Sequence, residues 1–281
     1  MIQIVRTRAD VVRFRESLAR EGKRLALVPT MGYLHDGHLS LMREGAKRAE
    51  VVATTIFVNP TQFGPNEDLS RYPRDEAGDV KKCESAGATL VWAPEPKEVY
   101  PDGYQTYVEV GEASKGLDGD RRPGHFRGVA TVVTKLLALF RPSVALFGEK
   151  DFQQLKVIEG LNRDLELGVE IVGMPIIREP DGLAMSSRNA YLKGADRQRA
   201  LALSKGLFSA QQRAKAGERD VKVLLELMRA PMIETDIRID YAEIVDAKTL
   251  RSLDRLDGRP ARALVAGFVG TTRLIDNLAL E

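Results

Sequence analysis

The chain has 281 residues, 43% of them hydrophobic, with 42 basic against 40 acidic side chains and a net charge of +2. That is enough apolar material for one large core and a smaller one. The near-neutral balance argues against a dedicated nucleic-acid binder, which normally carries a strong basic excess. A lone cysteine, Cys83, excludes an intrachain disulfide and fits a reducing compartment. Residues 1 to 6 lack the apolar core of a secretion signal, and no run reaches the roughly 18 apolar residues of a membrane span. The expectation is a cytoplasmic globular protein that engages neither membrane nor nucleic acid.

Leu25 to Val28 is an apolar run closed by Pro29. Leu39 to Ala49 follows, with Leu39, Met42, Ala46 and Ala49 on one side of a helix. Val51 to Val58 is longer, β-branched, and ends at Asn59-Pro60. A helical stretch from Asp75 to Ala86 leads to a third run, Thr89 to Trp92. Val129 to Phe140 suits a helix and precedes a fourth run, Val144 to Phe147, closed by Gly148. None of the four runs alternates with polar residues, so each predicts a strand buried on both faces, as in a parallel sheet. Strands alternating with helices predict a Rossmann-like, doubly wound α/β domain, whose ligands sit beyond the carboxyl ends of the strands.

After Ile177 the pattern changes. Glu179-Pro180-Asp181-Gly182 is a turn signal. Ala195 to Ala214 and Asp220 to Arg229 suit helices, the second stopped by Pro231. Ile237 to Val245, Ala261 to Val269 and Thr272 to Leu280 suit strands. The expectation is a doubly wound α/β domain over residues 1–176 and a smaller α+β domain over 177–281. There is no internal repeat or low-complexity tract.

Met31-Gly32-Tyr33-Leu34-His35-Asp36-Gly37-His38 lies between a predicted strand and a predicted helix and holds two of the three histidines. Residues three apart share a face on a helix's first turn, so His35 and His38 both point out of the strand's end. The turn's N–H groups and the helix dipole favour an anion there, and Gly32 and Gly37 let backbone approach it. A phosphate site is the reading that follows. Two others stand beside it: a metal pair, which needs further ligands, and a pair that only caps and packs the helix.

Gly148-Glu149-Lys150-Asp151 is a second strand-to-helix junction. Lys150 suits a phosphate, and Glu149 or Asp151 a magnesium ion; the competing reading is a solvated charged turn. Met185-Ser186-Ser187-Arg188-Asn189 offers hydroxyls and a guanidinium suited to a triphosphate, or else a polar loop. Gln62 and Gln154 are neutral amides able to recognise hydroxyl and carboxylate oxygens. The basic stretch from Asp120 to Gly128 suits a solvated turn before a helix, with attraction of anions or a loop over the cleft as the other readings. A G-x-x-x-x-G-K-[ST] loop is absent, as is G-x-G-x-x-G after the first strand.

Five segments together resemble the pantoate–β-alanine ligase family over nearly the whole chain. They are Pro29 to Gly32 with His35 to His38, Phe57 to Phe63, Arg122 to Gly128, Phe147 to Gln154, and Asp181 to Asn189. The double-histidine motif is also that of the wider nucleotidylyltransferase superfamily. The resemblance implies a Rossmann-like amino-terminal domain, a carboxy-terminal lid and a homodimer. It implies ATP with magnesium, (R)-pantoate and β-alanine as substrates, and pantothenate, AMP and pyrophosphate as products. By motif match, residues 31 to 38, Gly148 to Asp151, Ile177 and Met185 to Arg188 contact ATP. His38 is the catalytic residue by that match, with His35 and Lys150 beside it as charge-stabilising donors. Gln62 and Gln154 hold pantoate, and Gln62 also lies near β-alanine. The alternative is another member of the superfamily that transfers AMP to a small substrate.

Overall fold

The computed structural model describes residues 2 to 280. The chain divides into two compact units, one of Met1–Glu149 with Gln154–Pro175 and one of Lys150–Gln153 with Ile176–Glu281.

The first unit is built in the order β1 (Gln3–Val5), α1 (Arg8–Arg20), β2 (Leu25–Val28), α2 (Asp36–Arg48), β3 (Val51–Thr55), α3 (Glu76–Ser85), β4 (Leu90–Trp92), α4 (Pro96–Val99), α5 (Leu117–Arg121), α6 (His125–Phe140), β5 (Val144–Gly148), α7 (Phe152–Asp164) and β6 (Glu170–Met174). The six strands form one parallel sheet in the order β1-β4-β3-β2-β5-β6. Every residue of β2, β3 and β4 is buried, as expected when helices cover both faces. Alternate residues divide between those faces. Leu25, Leu27, Ala53, Leu90, Trp92 and Phe147 join one apolar cluster with Val11 and Leu18 of α1 and Val129, Val133 and Leu137 of α6. Ala26, Val28, Val52, Val91 and Leu146 join another with Leu39 and Met42 of α2 and Cys83 of α3. The Cys83 thiol is fully buried, and that burial pushes its pKa up to about 12.

Helix α2 turns Gly45 to the sheet, and the expected Ala46 is exposed. A Cβ on Gly45 would stand 3.2 Å from that of Ala26, so the helix lies too close to β2 to admit a methyl group comfortably. β3 stops at Thr55, three residues before the end of its apolar run, because the chain there turns to bond two different strands' ends. Ile56 N–H reaches Trp92 O and Phe57 N–H reaches Thr30 O. From β2 the chain adds β3 and then β4 on one side, whereas β5 and β6 lie on the other. The reversal falls between β2 and β5, where ligands of such sheets bind. The loops leaving β2 and β5 begin at Pro29 and Glu149.

In the second unit, a short 3₁₀ helix (Ser187–Tyr191) leads to α8 (Ala195–Arg199), α9 (Leu201–Lys215) and α10 (Val221–Glu234). An antiparallel sheet β7-β8-β9 follows (Arg238–Asp246, Ala261–Val269, Thr272–Leu280). Leu203 and Leu207 of α9 and Leu224 and Met228 of α10 pack with Ile244, Ala263, Val265 and Leu274 of the sheet in one cluster. Pro231 does not stop α10, which runs on to Glu234. The missing N–H removes one bond near the helix end, and the last turn is held by Thr235, whose N–H and hydroxyl both donate to Pro231 O.

The two helices touch at Gly206, where a Cβ would lie 2.2 Å from Met228 O. Alanine gains about 1 kcal/mol of helix propensity, but displacing a packed backbone costs more, typically ~1–3 kcal/mol beyond it. Gly206→Ala is therefore expected to lower the urea midpoint, and an unchanged or raised midpoint would show that α9 and α10 are less tightly apposed.

Candidate active site

The loop after β2 is built from inside. Thr30 is buried and exchanges bonds with Thr55 at the end of β3: Thr30 N–H donates to Thr55 Oγ1 at 3.1 Å and its hydroxyl to Thr55 O at 2.5 Å. Gly32 (φ +81°) and Tyr33 (φ +50°) are both left-handed. At this turn the consecutive N–H groups of Tyr33 and Leu34 converge into one concavity, an anion nest. That nest is filled by the carboxylate of Asp79 from α3, which accepts from Tyr33 N–H at 2.6 Å and Leu34 N–H at 2.7 Å. Burial pushes the Asp79 carboxyl up, and the two N–H donors pull it the other way. Lys82, one turn along α3, donates to Leu34 O at 2.8 Å. A Cβ on Gly32 would stand 3.0 Å from Asp79 Oδ2, so the carboxylate needs glycine above it. The side chain of Leu34 is buried in the core below.

His35 is the N-cap of α2 and His38 its third residue, and the two close a capping box of imidazoles. Gly37 N–H donates to His35 Nδ1 at 3.2 Å, and His35 N–H donates to His38 Nδ1 at 3.3 Å. The ring centroids are 4.1 Å apart. Gly37 leaves room for this, since a Cβ there would meet the His35 ring at 2.9 Å. A ring nitrogen that accepts carries no proton, so both neutral rings hold theirs on Nε2. This makes each Nε2–H a hydrogen-bond donor. It also leaves neither ring a lone pair for a metal, so the geometry supports capping and donation together rather than ligation. The main-chain N–H groups that the sequence aimed at an anion bond within the protein: Gly32 to Thr30 Oγ1, Tyr33 and Leu34 to Asp79, His38 and Leu39 to His35 O.

Gln62 sits in the short 3₁₀ turn Pro60–Gln62 after β3, and is almost completely buried. Its amide orientation is set by Asn59, whose Nδ2 donates to Gln62 Oε1 at 3.0 Å. Gln62 Nε2 then points at Met31 Sδ, 3.3 Å away, so Gln62 and the histidine loop adjoin. Asn59 is itself fixed, because Tyr100 Oη donates to its Oδ1 at 2.8 Å and Gly128 O accepts from its Nδ2 at 3.3 Å. Helix α6 approaches so closely that a Cβ on Gly128 would overlap Thr61 O at 2.3 Å.

Gly148 ends β5, and Glu149 to Asp151 form a 3₁₀ turn leading into α7. Asp151 is exposed; Gly148, Glu149, Lys150 and Gln154 are half-buried. In the second unit, Lys150 O accepts from Asn277 Nδ2 at 2.8 Å, and Arg262 Nε donates to Asn277 Oδ1 at 2.7 Å. Ile177 and Met185 come together across a hairpin, Met185 N–H bonding Ile177 O at 3.0 Å around the Glu179–Gly182 turn. Ser186 caps the following 3₁₀ helix by accepting from Arg188 N–H at 3.2 Å, and Ser187 is buried. Asn189 ties that helix back to the hairpin through Glu179 Oε1 and Ala184 O. Arg197 grips Glu179 and Asp181 at 2.7 and 2.8 Å.

Comparison with known proteins agrees with this frame. A family model described as pantoate-beta-alanine ligase matches residues 3–279. The chain belongs to that family. It is similar to the pantothenate synthetase of Myxococcus xanthus strain DK1622, 64% identical over 279 residues that cover 99% of this chain and 96% of that protein. The pantothenate synthetase of Geobacter sulfurreducens is 51% identical over 280 residues, 99% of each chain. Among solved structures, pantothenate synthetase from Thermus thermophilus superposes with a TM-score of 0.93 at 43% identity over 99% of both chains. A pantoate-beta-alanine ligase from Francisella tularensis, complexed with beta-gamma ATP and beta-alanine, gives 0.84 at 32% identity over 99% of this chain and 97% of that one.

The pantoate–β-alanine ligase fold here uses residues that the sequence did not single out. Asp79 and Lys82 carry no signal in the chain beyond falling on a helix. The stretch around His125, expected to be a solvated turn, is instead an internal brace. His125 is 7% exposed, and its Nδ1 donates to Gln62 O at 2.9 Å. Its Nε2 accepts from Arg122 at 3.0 Å, and Arg122 pairs with Glu67 through bonds of 2.7 and 2.8 Å.

Burial, and then the Arg122 charge, lower the His125 pKa from 6.5 to about 4. A depressed folded-state pKa gives stability that is complete above 6.5 and is lost as pH falls toward 4, on the order of 2–3 kcal/mol. His125→Asn retains a donor for Gln62 O but lacks this titration. Urea midpoints of parent and variant are therefore expected to differ at pH 7.5 and converge by pH 4. Parallel pH profiles would show that His125 takes up its proton equally readily in the folded and unfolded chains.

Proposed function

We propose that the chain condenses (R)-pantoate with β-alanine at the expense of ATP, giving pantothenate, AMP and pyrophosphate. The observation that carries this reading is the pair of imidazoles at the start of α2, each accepting a main-chain N–H at Nδ1, which leaves Nε2 as the ring nitrogen able to donate. Such donors stabilise the negative charge that builds on phosphate oxygens during transfer. Family membership supports the identity of the acid and the amine.

The chemistry divides into two steps. A pantoate carboxylate oxygen attacks the α-phosphorus of ATP, the bond to the bridging oxygen breaks, and pyrophosphate leaves. The free amine of β-alanine then attacks the acyl carbon, loses a proton, and AMP leaves with the bonding pair. No protein nucleophile is required; the protein places reactants and meets charge. His38 and His35 are proposed to donate to the phosphates, with Lys150, Ser186, Ser187 and Arg188 as further nucleotide-binding groups. Met31 to His38, Gly148 to Asp151, Ile177 and Met185 are proposed to line the nucleotide. Gln62 and Gln154 are proposed to hold pantoate, and Gln62, whose Nε2 is turned by Asn59 toward Met31 of the histidine loop, is suited to donate to an oxygen.

Among the described residues no three His, Cys, Asp or Glu side chains gather in a metal cage. A magnesium ion carried by nucleotide phosphates needs only one or two protein carboxylates, and Glu149 or Asp151, on either side of Lys150 in the chain, is proposed to supply one. A homodimer and a cytoplasmic setting belong to the same reading. No helix among the described residues is long and apolar enough to cross a membrane.

AMP is expected only when ATP, pantoate and β-alanine are all present, and pyrophosphate exchange into ATP only with pantoate. His38→Ala should lower kcat by about 10²- to 10³-fold without loss of the folded state by circular dichroism. AMP release that ignores pantoate, or a folded His38→Ala with parental kcat, would overturn the assignment.

A further inference from the structure

Asp79 is a buried carboxylate whose hydrogen-bond partners among the described residues are two consecutive main-chain N–H groups. It occupies a nest made by left-handed Gly32 and Tyr33, a geometry that elsewhere takes phosphate oxygens. The next N–H along the chain is that of His35, which bonds the His38 ring and so sets its tautomer. Lys82, three residues on from Asp79, holds the carbonyl between them. Loop, nest and imidazoles are thus one connected chain of bonds, and its far end is anchored in α3.

We propose that Asp79 is a positioning residue that fills this nest in place of a substrate phosphate, and so directs the nucleotide to the imidazole N–H groups. The inference rests on the reaction proposed above. With the carboxylate in place, Tyr33 N–H and Leu34 N–H do not compete for the triphosphate, and His35 N–H stays aimed at His38 Nδ1. Removing the charge has two consequences. The nest opens to a phosphate oxygen, which draws the nucleotide out of line without weakening its binding. The loop relaxes, and the imidazoles lose the bonds that keep protons on Nε2.

The test is Asp79→Ala together with Asp79→Asn, which fills the same space but accepts only one N–H through its oxygen. Both are expected to lower kcat by about 100-fold while KM for ATP stays level or falls. Nitrogen-15 spectra of histidine-labelled protein should show His35 and His38 passing from one tautomer to a mixture. A merely structural role would raise KM as kcat falls, or leave the imidazole spectra unchanged in a weakened protein; either result overturns the proposal, as does turnover within three-fold of the parent. Lys82→Gln, at a less buried site, should move the same spectra to a lesser degree if Asp79 variants fold poorly, and unchanged spectra there also count against it. If the parent chain makes no AMP from the three substrates, the reaction is wrong, and the imidazole spectra still decide whether Asp79 positions the rings.

Discussion

Two left-handed residues in succession turn a pair of main-chain N–H groups onto a single buried carboxylate, and the local order of the site follows from that contact. Asp79 fixes Tyr33 and Leu34; Leu34 in turn is seated in the core; His35 begins α2 from a defined direction, and its ring and that of His38 cap the helix reciprocally. An unpaired buried carboxylate is costly, so the loop cannot drift away from Asp79 without exposing that cost. The constraint therefore acts in both directions. The acid needs the loop's N–H groups, and the loop needs the acid to keep Tyr33 in a left-handed conformation unusual for a residue other than glycine.

Much of the first unit was readable from the chain because its strands are buried on both faces. Runs such as Val51 to Thr55 contain no polar residue at all save threonine, and four of six strands announce themselves this way. The two that did not are at the sheet's edges. β1 has only three residues and β6 is largely half-exposed, so neither makes a continuous apolar run. α1 was hidden for a related reason: its side facing the sheet is narrow, with only Val11 and Leu18 buried amid four arginines. Its one sharp signal is the Thr7–Asp10 capping box.

At the site, position along a strand-to-helix junction was enough to single out His35 and His38, but not to say what their rings do. Helix capping, one of the readings weighed from sequence, uses only Nδ1 of each ring, so it does not exclude the proposed donation from Nε2. Asp79 and Lys82, which were missed, and His125, whose stretch was noted but read as a solvated turn, act at long range in the chain. Asp79 meets a loop 45 residues away and His125 meets Gln62 at 63 residues. No local pattern encodes such pairs. In the second unit the same limit applies to Asn189 and Arg197, whose grip on Glu179 ties the Ser-Ser-Arg segment to its hairpin.

The single thiol lies under α3 in the closed apolar layer between that helix and the sheet. At a pKa of about 12, only about one molecule in 10⁵ carries the thiolate at neutral pH, and it is the thiolate that reacts. Burial of the thiol and its raised pKa both work against reaction with maleimides and alkylating probes in the native chain. Any cysteine introduced on either unit's surface becomes a unique handle for fluorophores or spin labels, with no need to remove Cys83 and disturb the layer it fills.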